Sequence, residues 1–252
     1  MTPELLLRQS IPVFVNSFCQ LSYLRDTINW FLRAGFRNIT VMDNASTSSD
    51  LLEYFDSDEF KSNARLYQIG KNVGPRKSIQ IAQSFLGPNS SFIFTDPDLW
   101  LPDMPDPDML LRMFYLGQKY RCLKVGFALD ISQPELFRNL TTKNGVGIVA
   151  WEERFWKKNK EIEPNVFKSP IDTTFFLHVP GPGEGKQLSE YGLAQHMIPS
   201  LRMAGSGFLA KHRPWYIDDG QSNEERNLYH STATNVASWS RNLPKKTDSK
   251  QN

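Results

Sequence analysis

The first hundred residues alternate between short apolar runs and longer amphipathic segments, and this alternation limits the possible folds more than any other feature. Each short run has the length of a buried strand, and the segment after it has helical spacing. The runs are IPVFVN (11–16), NITVMD (38–43), RLYQIG (65–70) and SFIFTD (91–96). A β-α-β-α-β-α-β order predicts an α/β fold, with a mostly parallel central sheet and helices on both faces.

The regularity fades after residue 100. The predicted elements there are a helix at MLLRMFYLGQKY (109–120), a strand at LKVGFALDI (123–131), a short helix at AWEERFWKKN (150–159) and a strand at PIDTTFFLHV (170–179). No internal repeat or linker is visible. We therefore expect a single domain over residues 1–252 with an irregular second half and a mobile polar tail at 241–252.

Charge and cysteine content exclude several classes of protein. Lys and Arg total 29 against 27 Asp and Glu, a net charge of +2 that does not indicate a nucleic-acid partner. Cys19 and Cys122 lie in apolar segments and are expected to be buried free thiols. The run Leu5–Leu7 is too short for a signal peptide or a membrane span, so we expect a cytoplasmic protein without one.

Asp96 and Asp98 directly follow the apolar run FIFT, with a proline between them. Ligands of an open parallel sheet bind beyond the carboxyl ends of its strands. Two carboxylates there suit Mn²⁺ or Mg²⁺, which also binds phosphates. The same tripeptide at 106–108 precedes a predicted helix, where Asp108 suits the N-cap position instead.

A haloacid-dehalogenase-type phosphatase is the main alternative for an apolar strand that ends in D-x-D. Those enzymes carry the motif on an early strand and follow it with small residues. Here three strands precede the motif, and Leu99 and Trp100 follow it. The sequence therefore does not favour a phosphatase.

The loops after the first two strands are also polar. The first strand ends at Asn16, and the second runs into DNAST. The side chains of Asp43 and Asn44 together offer the donors and acceptors that a nucleobase edge requires. The same residue types are typical of a turn and a helix cap, so both interpretations stay open.

The third strand is followed by KNVGPRK (71–77). Gly74 permits close approach of the backbone to a ligand, and Arg76 or Lys77 can bind phosphate or ribose. A plain connection with a solvated basic face is the alternative interpretation.

The ordered blocks IPVFVNSF, ITVMDNAST, KNVGP and FIFTDPD resemble the nucleotide-binding half of GT-A glycosyltransferases of the family-2-like group. Four further blocks extend the resemblance to about residues 10–220: KVGFALDI, WEERFW, PIDTTF and AKHRPWYID. One enzyme that the chain resembles is the N-terminal domain of a chlorovirus rhamnosyltransferase. It implies a GT-A fold, with a nucleotide-binding half at about 10–100 and an acceptor-side half at 101–240.

The resemblance also implies roles for single residues. Asp43 and Asn44 would bind the base, and Asn16 and Asn72 would line the nucleotide pocket. These positions would make the strand ends a site for a nucleotide-sugar donor.

The metal site is implied in the same way. Asp96 and Asp98 would bind the diphosphate and Mn²⁺ or Mg²⁺. Such enzymes often add a histidine from the C-terminal part, and His212 in KHRPWY is the best placed of the four histidines. A neutral imidazole is a good ligand of Mn²⁺.

An inverting transferase needs a carboxylate that takes a proton from the acceptor hydroxyl. Asp172 is the first candidate because it interrupts a predicted apolar strand, where burial would raise its pKa. Glu152 in WEERFW is the second. Four aromatic residues are candidates for an acceptor platform, although core packing is an equal alternative: Trp151, Trp156, Trp215 and Tyr216.

Together with the resemblance, these residues predict an enzyme that moves one sugar from a nucleotide-sugar, expected to be a UDP-sugar, to a carbohydrate acceptor, with inversion. The resemblance alone implies UDP-rhamnose as the donor. The chain lacks the Glu-Asp and Gln-x-x-Arg-Trp motifs of processive synthases. A non-catalytic nucleotide-sugar or glycan-binding domain is the alternative. A sugar-phosphate nucleotidyltransferase is a further one, but its glycine-rich N-terminal signature is missing.

Overall fold

The computed structural model describes residues 1–87, 89–142, 144–181 and 188–233. Its helices are α1 (Pro3–Ser10), α2 (Leu21–Arg33), α3 (Ser49–Asp56), α4 (Asp58–Asn63), α5 (Pro75–Ser84), α6 (Met109–Lys119), α7 (Ile148–Glu153) and α8 (Asn223–Thr232). Its strands are β1 (Val13–Ser17), β2 (Ile39–Asp43), β3 (Arg65–Gln68), β4 (Phe92–Thr95), β5 (Leu99–Trp100), β6 (Lys124–Leu129), β7 (Glu161–Glu163), β8 (Val166–Lys168), β9 (Phe176–His178), β10 (Ser200–Met203) and β11 (Leu209–His212). The expected tail at 241–252 lies outside the described residues.

One large sheet connects these strands in the order β3-β2-β1-β4-β9-β6-β10-β8-β7, and β11 pairs with both β6 and β5. The first four strands in this order are parallel. β9, β8 and β5 run antiparallel to their neighbours, and the remaining strands share one direction. The predicted α/β fold with a mostly parallel central sheet is confirmed.

Alternate residues of the parallel strands enter two different cores, as the two-residue period of a strand requires. In β1, Val13 and Val15 pack in the core that includes Phe31 of α2. Phe14, between them, packs in the other core, with Ile79 of α5. Helices therefore cover both faces of the sheet, which explains why the buried parts of β1, β2 and β4 are mainly apolar, whereas the edge strand β3 is largely exposed.

β9 is much shorter than the predicted strand at 170–179, because only Phe176–His178 pairs with β4 and β6. Gly126 of β6 makes this insertion possible. A Cβ atom at that position would lie 2.2 Å from the carbonyl oxygen of Phe175, so a side chain there would collide with the backbone beside β9. Asp172 consequently lies in the segment before the strand, not in it.

The start of α6 is capped from a distance. Asp108 occupies the predicted N-cap position, but its side chain makes no capping hydrogen bond. The Glu4 carboxylate of α1 instead accepts hydrogen bonds from the backbone N–H groups of Leu110 (3.1 Å) and Leu111 (3.0 Å). Glu4 also forms a buried ion pair with Arg8 of the same helix. The carboxylate of this pair therefore connects α1 to α6.

Two further sequence-based expectations concern buried thiols and membrane spans. Cys19 and Cys122 are buried and free, as predicted. None of the helices in the described part of the chain has the length and apolar content needed to cross a membrane.

Candidate functional site

Hydrogen-bonded side chains connect the carboxyl ends of β2, β1 and β4. The Asn44 side chain donates from Nδ2 to Asn16 Oδ1 (2.8 Å), and Asn16 Nδ2 donates to Asp96 Oδ1 (3.1 Å). The Val73 N–H, from the loop after β3, donates to Asn44 Oδ1 (3.1 Å). The chain of amides therefore links all four parallel strands and fixes the orientation of Asp96.

Asp96 is held on its other side by Thr173. The Thr173 hydroxyl donates to Asp96 Oδ2, and the Asp96 N–H donates to the Thr173 carbonyl (3.1 Å). Burial and then the neighbouring Asp98 carboxylate raise the pKa of Asp96 well above its usual range. A cation at this place would oppose both effects, because it would stabilise the two ionised carboxylates.

The structure brings Asp98 and His212 together, and their role as metal ligands stays a prediction. β11 pairs with β5 so that His212 lies opposite Leu99, and the Arg213 N–H donates to the Asp98 carbonyl (2.9 Å). The distance from His212 Nε2 to Asp98 Oδ2 is 3.4 Å. Asp98 Oδ1 and His212 Nδ1 are buried without a hydrogen-bond partner in the described part of the chain.

The donor atoms of this pair fit a hard divalent cation only in part. Adjacent ligands of an octahedral ion with bonds of about 2.1–2.5 Å lie roughly 3.0–3.5 Å apart, which the 3.4 Å contact matches. Within the described ranges, no three Asp, Glu, His or Cys side chains form a ready-made metal cage. Asp96 is turned towards Asn16 and Thr173, so Asp98 and His212 could hold Mn²⁺ or Mg²⁺ together with phosphate and water oxygens.

The predicted base-binding residues shape their own loop. Asp43 accepts hydrogen bonds from the N–H (3.1 Å) and hydroxyl of Ser46, and burial raises its pKa. Both Asp43 and Asn44 are buried, which agrees with the turn interpretation of DNAST. Their contact with a nucleobase stays a prediction.

The loop after β3 has a similar internal order. Asn72 Oδ1 accepts a hydrogen bond from the Gly74 N–H (3.1 Å). Gly74 has φ +74° at the N-cap of α5, and no heavy atom lies within 4 Å of a Cβ built there. The loop therefore leaves open space beside a backbone that favours glycine, as the prediction for this position requires.

Arg76, in the first turn of α5, binds Asp172 through two parallel hydrogen bonds. Nε donates to Oδ1 (2.9 Å) and Nη2 to Oδ2 (2.5 Å), and this pairing raises the pKa of Arg76. The Asp172 side chain is 51% exposed. The expectation that Asp172 is buried in an apolar strand is wrong, because β9 begins only at Phe176.

Glu152, the second candidate base, is enclosed by protein. It is 1% exposed, and its carboxylate forms an ion pair with Arg202 of β10. Burial raises its pKa, and Arg202 opposes that shift. Of the two candidates, only Asp172 presents its carboxylate at the surface.

The proposed aromatic platform divides into two pairs. Trp215 and Tyr216 are 2% and 4% exposed and belong to the core, so they offer no stacking surface. Trp151 and Trp156 are half-buried, on and just after α7.

Sequence reasoning missed Lys124 of β6, which lies fully buried near Asp172. Its Nζ donates to the Asp172 carbonyl (2.8 Å) and to Gln195 Oε1, and lies 4.1 Å from the centroid of the Phe176 ring. Burial lowers the pKa of Lys124 to about 7, against the opposing effect of Asp172. The only sequence signal was a lysine within an apolar run.

The shifted pKa of Lys124 predicts a pH-dependent stability. Between pH 7 and 10.5 the unfolded chain keeps a proton that the folded chain has lost, so stability rises with pH. The gain from pH 6 to pH 9 is about 3 kcal/mol. Urea unfolding of Lys124→Met at pH 6 and pH 9 should not show this increase in the free energy of unfolding. An equal pH effect in both proteins would contradict the buried, deprotonating lysine.

No protein-family model and no curated protein matches the sequence. Among solved structures, the chain is similar to GalNAc-T7 with UDP, GalNAc and Mn²⁺, at 11% identity over 87% of this chain and 48% of that chain (TM-score 0.46). It is also similar to HddC from Yersinia pseudotuberculosis complexed with GMP-PN, at 8% identity over 88% of this chain and 100% of that chain (TM-score 0.48). For S. aureus TarS 1–349 the identity is 13% over 86% of this chain and 68% of that chain (TM-score 0.43). The chain spans about half the length of the GalNAc-T7 chain. At this level of similarity, neither activity nor ligands carry over between chains.

Proposed function

We propose that the chain is a metal-dependent glycosyltransferase that moves one sugar from a UDP-sugar to a carbohydrate acceptor, with inversion at the anomeric carbon. The candidate donor from the resemblance is UDP-rhamnose. The observation that carries the proposal is the contact between Asp98 and His212 beyond the end of β4, where each side chain has a buried polar atom without a hydrogen-bond partner among the residues described.

The surrounding side chains suit the two parts of such a donor. The amide chain from Asn44 through Asn16 holds the Asp96 carboxylate beside Asp98, at the strand ends where the nucleotide is expected. Arg76 lies in the first turn of α5, where its guanidinium can bind phosphate oxygens. These groups would position the diphosphate and leave the sugar towards Asp172.

The chemical step needs a proton acceptor and stabilisation of the leaving group. A bound Mn²⁺ or Mg²⁺ would neutralise the charge that develops on the departing diphosphate. Asp98 and His212 would hold that ion. Asp172 would take the proton of the acceptor hydroxyl as its oxygen attacks the anomeric carbon from the face opposite the leaving group.

Titration calorimetry of UDP, GDP and dTDP, each with and without Mn²⁺, tests the proposal. We expect Mn²⁺-dependent binding of UDP to the unaltered protein and loss of this dependence in Asp98→Ala. Asp108→Ala is the matched control, because Asp108 belongs to the second Asp-Pro-Asp tripeptide and its side chain caps nothing.

Failure of all three nucleotides to bind in a metal-dependent way would overturn the proposal. Metal-dependent UDP binding without sugar transfer, and without slow hydrolysis of any UDP-sugar, would instead favour a non-catalytic nucleotide-sugar-binding domain.

A further inference from the structure

Three cationic side chains surround the ring of Phe155, just after α7. The ring and these side chains are called here the Phe155 cluster: Phe155, Arg154, Lys160 and Arg202. The charged carbon Cζ of Arg154 lies 4.6 Å from the centroid of the Phe155 ring, and that of Arg202 lies 4.0 Å away. Lys160 Nζ lies 5.6 Å from the same centroid. Three positive charges therefore converge on one half-buried ring.

Arg202 alone in this cluster has a carboxylate partner, Glu152, among the residues that the structure describes. The Cζ atom of the Arg154 guanidinium lies 3.3 Å from the centroid of the Trp151 ring, and Arg154 Nε is buried without a hydrogen-bond partner in the described ranges. Lys160 Nζ donates to the Arg154 carbonyl (2.7 Å), which carries no net charge.

This arrangement costs free energy in the protein alone. Burial lowers the pKa of Lys160 first, and the positive charges of Lys157, Arg154 and Arg202 lower it further. Burial also lowers the pKa of Arg154, and the Glu152 carboxylate, which is already paired with Arg202, opposes this shift. Like charges that are partly removed from water repel one another strongly. An anion between them would reduce this repulsion and would give Arg154 Nε a hydrogen-bond acceptor.

The Phe155 cluster borders the proposed acceptor side. Arg202 Nε donates a hydrogen bond to the carbonyl of Pro170 (2.8 Å), two residues before Asp172. Trp151, beneath the Arg154 guanidinium, is half-buried. A ligand at this cluster would therefore lie near the segment that carries the proposed base.

We infer that Arg154 and Lys160 bind an oxyanion, a carboxylate or phosphate group, that is carried by the carbohydrate acceptor. The inference rests on the proposed function and narrows the acceptor to an acidic sugar. A planar guanidinium stacked on tryptophan suits such a group, because it can donate two parallel hydrogen bonds to one anion. The adjacent, half-buried Trp156 is available to pack on a sugar ring.

Binding of three probes tests the inference: tetragalacturonate for carboxylate, mannose 6-phosphate for phosphate, and maltotetraose as the neutral sugar. Titration is followed by calorimetry and by the fluorescence of tryptophan at low and high salt. We expect an acidic probe to bind at least about tenfold more tightly than maltotetraose at low salt and to lose this advantage at high salt. Whichever acidic probe binds more tightly identifies the anion.

Two variants locate the site. Arg154→Met and Lys160→Met keep most of the aliphatic packing, and each should weaken the acidic probe by about tenfold while leaving maltotetraose unchanged. Lys158→Met is the matched control, since Lys158 lies in the same segment, is 92% exposed and pairs with Glu161. Thermal unfolding of each variant checks that it is folded.

Equal binding of acidic and neutral probes by the unaltered protein would overturn the inference without any variant. An equal loss of binding in Lys158→Met would do the same, because it would indicate a diffuse effect of charge. UDP and Mn²⁺ are titrated into the same samples. If an acidic probe binds in an Arg154-dependent way but UDP does not bind, the proposed function alone is rejected. If UDP binds with Mn²⁺ but no acidic probe binds in an Arg154-dependent way, the anion site alone is rejected.

Discussion

Asp172→Asn is expected to lower kcat for sugar transfer by about 10²- to 10⁴-fold, the range for loss of a general base. The asparagine has the shape of the aspartate but cannot take up the proton of the acceptor hydroxyl. The Mn²⁺-dependent affinity for UDP should stay within about twofold, because Asp172 lies outside the Asp98–His212 pair. Initial rates at saturating donor and a UDP titration measure the two quantities.

Two control variants separate the base from its surroundings. Arg76→Met removes the ion-pair partner of Asp172 but keeps the carboxylate, so it should raise KM for the donor more than it lowers kcat. Glu152→Gln should retain most of kcat if it remains folded, because Glu152 is enclosed and paired with Arg202. A kcat for Asp172→Asn within about threefold of the unaltered enzyme would reject Asp172 as the base.

Arg202→Met is expected to lower the free energy of unfolding by about 3–5 kcal/mol, since it leaves the buried Glu152 carboxylate without its counter-ion. The same change removes the Arg202 Nε hydrogen bond to the Pro170 carbonyl (2.8 Å). Urea unfolding measures the loss. Burial already raises the pKa of Glu152, so the deficit should shrink as the pH falls and the unpaired carboxyl takes up a proton.

The double variant Glu152→Gln/Arg202→Met should be more stable than Arg202→Met, because it removes the unpaired charge as well. Arg25→Met is the matched control: it breaks an ion pair with Glu59 in which both side chains are more than 40% exposed, and it should have little effect. Similar losses for the buried and the exposed pair would contradict the burial-based explanation.

The parallel half of the fold could be predicted because its signals are local. The runs at 11–16 and 91–96 correspond to β1 and β4, whose residues are buried on both faces and therefore mainly apolar. The sequence predicts where α6 begins, but it does not predict that Glu4 caps this helix. Glu4 lies 106 residues before Leu110, and nothing in the sequence joins them.

The second half of the sheet depends on pairings between distant segments. A strand was expected at 170–179, yet only three residues pair there, and they do so between β4 and β6. That position follows from the close approach that Gly126 allows, which is a tertiary contact. The predicted burial of Asp172 is wrong because β9 begins only at Phe176. The residue that pairs with Asp172 at the surface, Arg76, lies 96 residues earlier in the chain.

The candidate site shows the same division. Asp96 and Asp98 were identified because they directly follow an apolar strand, and His212 because of the resemblance. Asn16 and Thr173, the hydrogen-bond partners that orient Asp96, come from other segments. Sequence patterns therefore predicted candidate residues, whose roles stay predictions, and the packing of the strands determined which of their atoms have hydrogen-bond partners among the described residues.

The position of β9 affects the chain while it is being synthesised. The ribosome must pass residue 178 before β4 and β6 have a neighbour on their shared side. About 80 residues separate the end of β4 from the start of β9, which takes roughly 4–16 s at about 5–20 residues per second. During this interval β4 has an open edge of N–H and C=O groups that can pair with another nascent chain. Shielding by a chaperone would matter most in those seconds.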